Sequence, residues 1–301
     1  MAPVSAVRVT VVSDSHLSDR TPEASANWDA VVDHVNAVRP DIVVHAGDIS
    51  ADGAELPDDL AFAHARLGRI GVSLLVVPGN HDVGDIPMRD TGTEGSPAEG
   101  AGHGVDVDGE RVARFRAVFG ADRFSVVAGR WRLVGINAQL LGGTAGPDDA
   151  GGPGVERDAA DQWAWLEREL GGLGPDDPVA LVSHRPLLPV PGDLDEARHC
   201  VPPAARERLV SLLGDAGPRL VVSGHVHQAL RHARAGLDNV WAPTTWAVLP
   251  DTLQPTVGRK MPGLVELTLH DDGRVDVTTR APDGMRQLVL GDDVDDPYGI
   301  V

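Results

Sequence analysis

Five short apolar runs in this chain each end in the same kind of residue, and that repetition limits the possible folds more than any other feature. VRVTVV (7–12) leads into Asp14-Ser15-His16, DIVVHA (41–46) into Gly47-Asp48, and GVSLLVVP (71–78) into Gly79-Asn80-His81-Asp82. PVALVSH (178–184) closes on His184, and PRLVVSGH (218–225) passes into Gly224-His225-Val226-His227. Runs of this length bounded by turn residues read as buried strands. Between the first two, Trp28, Val31, Val32, Val35 and Val38 repeat at helical spacing before Pro40, which gives the β-α-β alternation of a mostly parallel sheet. In such a sheet the carboxyl ends of the strands share one edge, so polar groups from position 14 to position 227 are expected to meet in one crevice.

Helical patterns recur at 58–67, at 158–170, where Trp163, Leu166 and Leu170 share a face, and at 203–213. Residues 123–137 read as a hairpin. The tail segments ALRHARA, NVWAP, PGLVELTLH and RVDVTTRA read as strands separated by turns such as Asp271-Asp272-Gly273, and residues 228–301 are expected to complete a second, mixed sheet. Residues 83–110 are rich in Gly, Asp, Glu and Pro without apolar periodicity, which predicts a long lid or substrate loop. With no fixed-period repeat and no low-complexity linker, the chain reads as one domain over 1–301.

Composition excludes several classes. The chain of 301 residues has 26 Lys and Arg against 45 Asp and Glu, a formal charge of −19, which argues against binding nucleic acid through phosphate neutralisation. The single cysteine, Cys200, forms no intrachain disulfide, and no apolar run approaches the length of a membrane span. A cytoplasmic location is the expectation, with no membrane partner.

Taken one at a time, the motifs have ordinary readings. Asp14-x-His16 suits a turn or helix cap, Gly47-Asp48 a turn, Asn80-His81-Asp82 a solvated loop, and His184 a hydrogen-bonded core position. Gly-His-x-His is the strongest single motif, since imidazoles two apart on an extended segment face the same side. Their order and their common place at strand ends decide between these readings. Together they match the pattern D-x-H, G-D, G-N-H-D, H, G-H-x-H, and the chain resembles the calcineurin-like metallophosphoesterase superfamily, most of all its bacterial class III cyclic-nucleotide phosphodiesterases and glycerophosphodiesterases.

The resemblance implies an α/β fold, a four-layer α/β/β/α sandwich of two mixed sheets flanked by helices, with the site at the edge of the paired sheets. It implies two transition-metal ions, one held by Asp14, His16, Asp48 and His227 and the other by Asp48, Asn80, His184 and His225. Asp48 would bridge them. Mixed N and O ligands without thiolate suit Mn, Fe, Zn or Co. The implied activity is phosphoester hydrolysis, by attack of a metal-bound hydroxide on a small phosphodiester of cyclic-nucleotide or glycerophosphodiester type, with His81 as general acid and Asp82 either orienting it or serving as a turn residue. A phosphomonoesterase is the alternative; a non-catalytic scaffold fits poorly because every motif position is filled. The oligomeric state is left open. Outside the motifs, Arg185 is expected to touch phosphate or form a surface ion pair, His45 to sit in the core, and His103 to be solvated or to reach the substrate. Trp241 and Trp246 are expected to pack or to offer a stacking surface, and Cys200 to be inert unless a base lies near.

Overall fold

Strand β1 (Ala6–Val12), helix α1 (Pro22–Val38), β2 (Ile42–His45), α2 (Pro57–Leu67) and β3 (Leu74–Val76) form two successive β-α-β units. They belong to a computed structural model that describes residues 6–87, 105–142, 154–190, 194–214, 217, 219–295 and 297. Next come a single turn of helix, α3 (Asn80–Val83), then α4 (Gly109–Phe119), a hairpin of β4 (Phe124–Ala128) and β5 (Trp131–Ile136), α5 (Val155–Leu170) and β6 (Val179–Ser183). The short α6 (Glu196–His199) precedes α7 (Pro203–Leu212), β7 (Arg219–Ser223), β8 (Gln228–Arg234), β9 (Leu237–Trp241), β10 (Arg259–Lys260), β11 (Leu264–His270) and β12 (Val275–Arg280). Proline opens α1, α2 and α7, where its missing N–H leaves no helical bond unmade.

The strands make two mixed sheets, ordered β12-β11-β1-β2-β3 and β10-β8-β9-β7-β6-β5-β4. Period-two burial makes them stack. Val9, Val11 and Val44 of the first sheet meet Leu133, Ala180, Val182, Leu220 and Val222 of the second in a shared inner layer. Their sequence neighbours point outward: Val12 and Val43 pack with Trp28, Val31, Leu60 and Phe115 from α1, α2 and α4, whereas Val134, Val179, Leu181 and Val221 pack with Trp163, Leu166 and Leu209 from α5 and α7. The result is the expected α/β/β/α sandwich.

Three expectations need correction or a limit. The C-terminal strands do not all complete the second sheet: β8, β9 and β10 do, but β11 pairs antiparallel with β1, and β12 follows it as the edge of the first sheet. The physical reason lies in their patterns. Val265, Leu267 and Leu269 turn one face of β11 into the layer between the sheets, and its other face is buried at Leu264 and half-buried beyond, which suits an interior position, while β12 alternates between half-buried and exposed residues, as an edge strand does. The segment 83–110 is not loop throughout, because Asp108 caps the start of α4 by accepting from Arg111 N, and a bridge between Asp85 and Asp106 closes the loop's base. Its middle, 88–104, lies outside the described residues, as does His103.

Candidate metal centre

The carboxyl ends of β1, β2, β3, β6 and β7 deliver Asp14 and His16, Asp48, Asn80, His184, and His225 and His227 to one crevice spanning both sheets. Their potential ligand atoms fall into three overlapping groups, each within 4.8 Å: Asp14, His16 and His227; His16, Asp48 and His81; Asp48, His184 and His225. Asp48 stands in two of them. All these residues are buried except His225, which is half-buried.

The backbone pays attention to these side chains. Of the seven non-glycine residues with positive φ among the described residues, five are Asp14, His16, Asp48, His225 and His227. Left-handed backbone at non-glycine residues is costly and concentrates where a structure must aim a side chain. The motif glycines serve the same packing: a Cβ on Gly79 would overlap Asp48 Oδ1, and one on Gly47 would lie 2.5 Å from His184 Nδ1.

Main-chain carbonyls fix which imidazole nitrogen faces inward. His184 Nδ1 donates to Ala46 O at 2.9 Å, His227 Nδ1 to Ala247 O at 2.7 Å, and His225 Nε2 to Arg198 O at 3.0 Å. The opposite nitrogens therefore face the crevice, where they can ligate a cation in the neutral imidazole. His184 Nε2 meets Asn80 Oδ1 at 3.1 Å, Asp48 Oδ2 at 3.2 Å and His225 Nδ1 at 3.2 Å; His227 Nε2 meets His16 Nε2 at 3.2 Å and Asp14 Oδ1 at 3.5 Å. Acceptors crowded this closely require a proton or a cation among them. The donor set, N and O without thiolate, fits transition-metal ions.

Electrostatics agree. Burial works against charge on His184, but the Asp48 carboxylate outweighs it and holds the imidazole up at about 9. Burial also raises Asp48, yet His184 and His81 beside it draw it well below the carboxylate range. His16 is pushed well down, first by burial and then by His81, and His225 likewise by burial and then by Arg185. Below about pH 9 the metal-free crevice thus carries a proton on His184, which a bound cation must displace. Mn(II) binding at pH 7 is expected to release at least one proton per chain and to tighten as pH rises towards 9. Calorimetric titration in buffers of different ionisation enthalpy measures this, and uptake without proton release would contradict it.

Of the two readings of Asp82, its hydrogen bonds fit the turn residue. Its carboxylate does not orient His81; it accepts from Gly79 N at 2.9 Å, Ile49 N at 3.1 Å, Ser50 N at 2.9 Å and Ser50 Oγ at 2.6 Å, tying the Asp48 loop to the Asn80 loop. His81 is oriented by main chain, its Nδ1 donating to Ala51 O at 2.8 Å and its backbone N–H to Asp48 Oδ1 at 2.9 Å. Asp82→Ala would strand three buried N–H groups, so a loss of about 2–4 kcal/mol of stability is expected by urea denaturation. A change under about 0.5 kcal/mol would show that the brace is dispensable.

The remaining candidates divide plainly. Arg185 is buried, pairs with Asp85 and donates to Arg198 O at 2.7 Å, so its ion pair is internal rather than on the surface. His45 is a core residue whose Nε2 donates to Ser15 Oγ at 2.9 Å, and burial lowers it to about 3. Burial raises the Cys200 thiol to about 11, which makes it a poor nucleophile. Trp241 packs in the interior, whereas Trp246 is buried against the His16 ring, with centroids 5.0 Å apart, and lines the cavity over the centre. That cavity, of about 80 Å³, is also lined by His199, from the acidic stretch DLDEARHC that reads in the sequence as a possible pocket wall, and by Leu249, Gln254 and Leu290, which no sequence motif singles out.

The family model described as calcineurin-like phosphoesterase matches residues 7–229. A 3',5'-cyclic adenosine monophosphate phosphodiesterase from Pseudomonas aeruginosa is 25% identical over 285 residues, 90% of this chain and 88% of its own length. A 3',5'-cyclic-nucleotide phosphodiesterase from Nostoc is 23% identical over 278 residues, 89% of each chain. Among solved structures, a dimetal phosphatase from Danio rerio superposes with a TM-score of 0.53 at 15% identity, covering 92% of this chain and 99% of its own, a likeness of fold. With that match across the whole span of the five motifs, the chain belongs to the calcineurin-like metallophosphoesterase family of phosphoric ester hydrolases.

Proposed function

We propose that this protein is a dinuclear-metal-dependent phosphodiesterase for small substrates of cyclic-nucleotide or glycerophosphodiester type. The observation that carries the reading is the shared carboxylate, since Asp48 lies within ligand distance of His16 and His81 on one side and of His184 and His225 on the other. Asp14, His16, Asp48 and His227 would hold one cation of the Mn, Fe or Zn class, and Asp48, Asn80, His184 and His225 the second. Two such ions supply an activated water and neutralise phosphoryl charge.

The chain's own groups do the rest. The buried Asp48 anion offsets repulsion between neighbouring cations. Ala46, Ala247 and Arg198 carbonyls keep three imidazoles in the tautomers that ligation needs. His81, with Nδ1–H engaged by Ala51 O, carries on Nε2 the proton delivered to the departing alkoxide. A net charge of −19 opposes long polyanions at a distance and favours small esters, and the names of the two bacterial relatives support a cyclic nucleotide. Among the described residues no helix is long and apolar enough to cross a membrane, and we take the cytoplasm as the working location.

Substrate profiling of the Mn(II)-loaded protein tests the reading. Cyclic AMP, glycerophosphodiesters and bis(p-nitrophenyl) phosphate are expected to turn over with higher kcat/KM than p-nitrophenyl phosphate. The reverse order would make it a phosphomonoesterase.

A further inference from the structure

On the His225 side of the cavity a polar network reaches the site from residues outside the metal-ligand motifs. Gln228, the first residue of β8, is saturated: its Oε1 accepts from Val257 N at 2.9 Å and Gly258 N at 2.8 Å, so its Nε2 must be the donor, to Gln254 Oε1 at 2.7 Å and Pro255 O at 3.0 Å. This fixes the Gln254 amide in turn. With Oε1 facing Gln228, its Nε2 is turned to His199, a residue that lines the cavity, and donates to His199 Nε2 at 3.3 Å. His199 accepts there because its Nδ1–H is engaged by Asp195 O at 2.8 Å. The ring of His199 stands 5.7 Å from that of His225. Gln254 is 1% exposed, yet both it and His199 line the cavity over the centre.

An amide nitrogen carries two hydrogens, and His199 takes one. We propose that the second hydrogen of Gln254 Nε2 is a substrate contact, donated to the oxygen substituent that stays on phosphorus, the alkoxy arm of a diester or the corresponding oxygen of a phosphate ion. Gln228 and His199 are positioning residues: the first sets the direction of the amide and the second prevents its rotation. The proposal rests on the phosphoesterase reading of the centre and adds a recognition group to it. An oriented donor on the His225 side holds the retained substituent, while His81 serves the departing one from the His16 side.

The test uses Gln254→Met, which keeps volume and removes the donor, and Gln254→Glu, which keeps the acceptor towards Gln228 but presents a carboxylate to the cavity. Each Mn(II)-loaded variant is assayed with bis(p-nitrophenyl) phosphate, and equilibrium binding of inorganic phosphate and metal content are measured in parallel. Expected are two ions per chain, KM raised on the order of tenfold for Gln254→Met with kcat within about threefold, and a still larger rise for Gln254→Glu. Phosphate affinity should fall by a similar factor. Unchanged KM and phosphate affinity, or loss of metal from both variants, would overturn the proposal and leave Gln254 a purely structural amide. Failure of the phosphoesterase reading looks different: the metal-loaded wild-type protein would be inert towards every ester, while phosphate binding would still report on Gln254.

Discussion

Asp48→Ala is expected to remove both metal ions and to lower activity by three orders of magnitude or more, on the order of the several kcal/mol that cations contribute to phosphoryl transfer. Three features of the site combine in this one residue. Its carboxylate belongs to two of the three ligand groups, it holds His184 protonated at about 9 in the metal-free protein, and it accepts the His81 backbone N–H at 2.9 Å. Deleting it leaves each prospective cation short of an anionic ligand and leaves their mutual repulsion uncompensated. Metal analysis after dialysis measures the first effect and turnover the second. A variant that kept two tightly bound ions would show that Asp48 does not bridge.

His81→Ala is expected to behave in the opposite way on metal and similarly on rate. Its Nδ1 is committed to Ala51 O, and in the proposed role its removal would take away a proton donor rather than a ligand. Metal content should stay at two ions per chain while kcat falls by about 10²–10⁴ for esters with poor leaving groups and much less for p-nitrophenyl esters, whose departing oxygen needs no proton. His81 also lies within 4.8 Å of the ligand atoms of His16 and Asp48, so the metal count carries its own information. Loss of one ion would make His81 a ligand, and an equal loss of rate across all leaving groups would remove it as the proton donor.

The convergence of the site was legible because the chemistry sits in a one-dimensional pattern. Apolar runs place strands, parallel strands share an edge, and Asp14, Asp48, Asn80, His184 and His225 each follow such a run. What aims them was not legible. Asp and His adopt positive φ more readily than most residues, yet most of those in any chain do not, so the residue type alone does not mark Asp14, His16, Asp48, His225 and His227; the packed crevice selects that backbone. Asp82 was ambiguous for a related reason: adjacency to His81 in sequence suggests a partner, whereas the turn of α3 sends its carboxylate back to Ser50 and Ile49. The placement of β11 beside β1 joins Ala6 to His270, a pairing that alternation within either segment cannot encode. His199 follows an acidic stretch that reads as a possible pocket wall, but Gln254 lies in a stretch without periodicity and becomes a neighbour of the site through Gln228. Helix α4 is announced by Asp108 and the spacing of Val112, Phe115 and Phe119, but the acidic, glycine-rich sequence before it obscures the boundary.

The most direct test is anomalous diffraction from crystals of the Mn(II)-loaded protein. Two peaks about 3.5–4 Å apart, with the Asp48 carboxylate between them, are expected. A single peak, or two peaks that share no ligand, would contradict a centre built around that carboxylate.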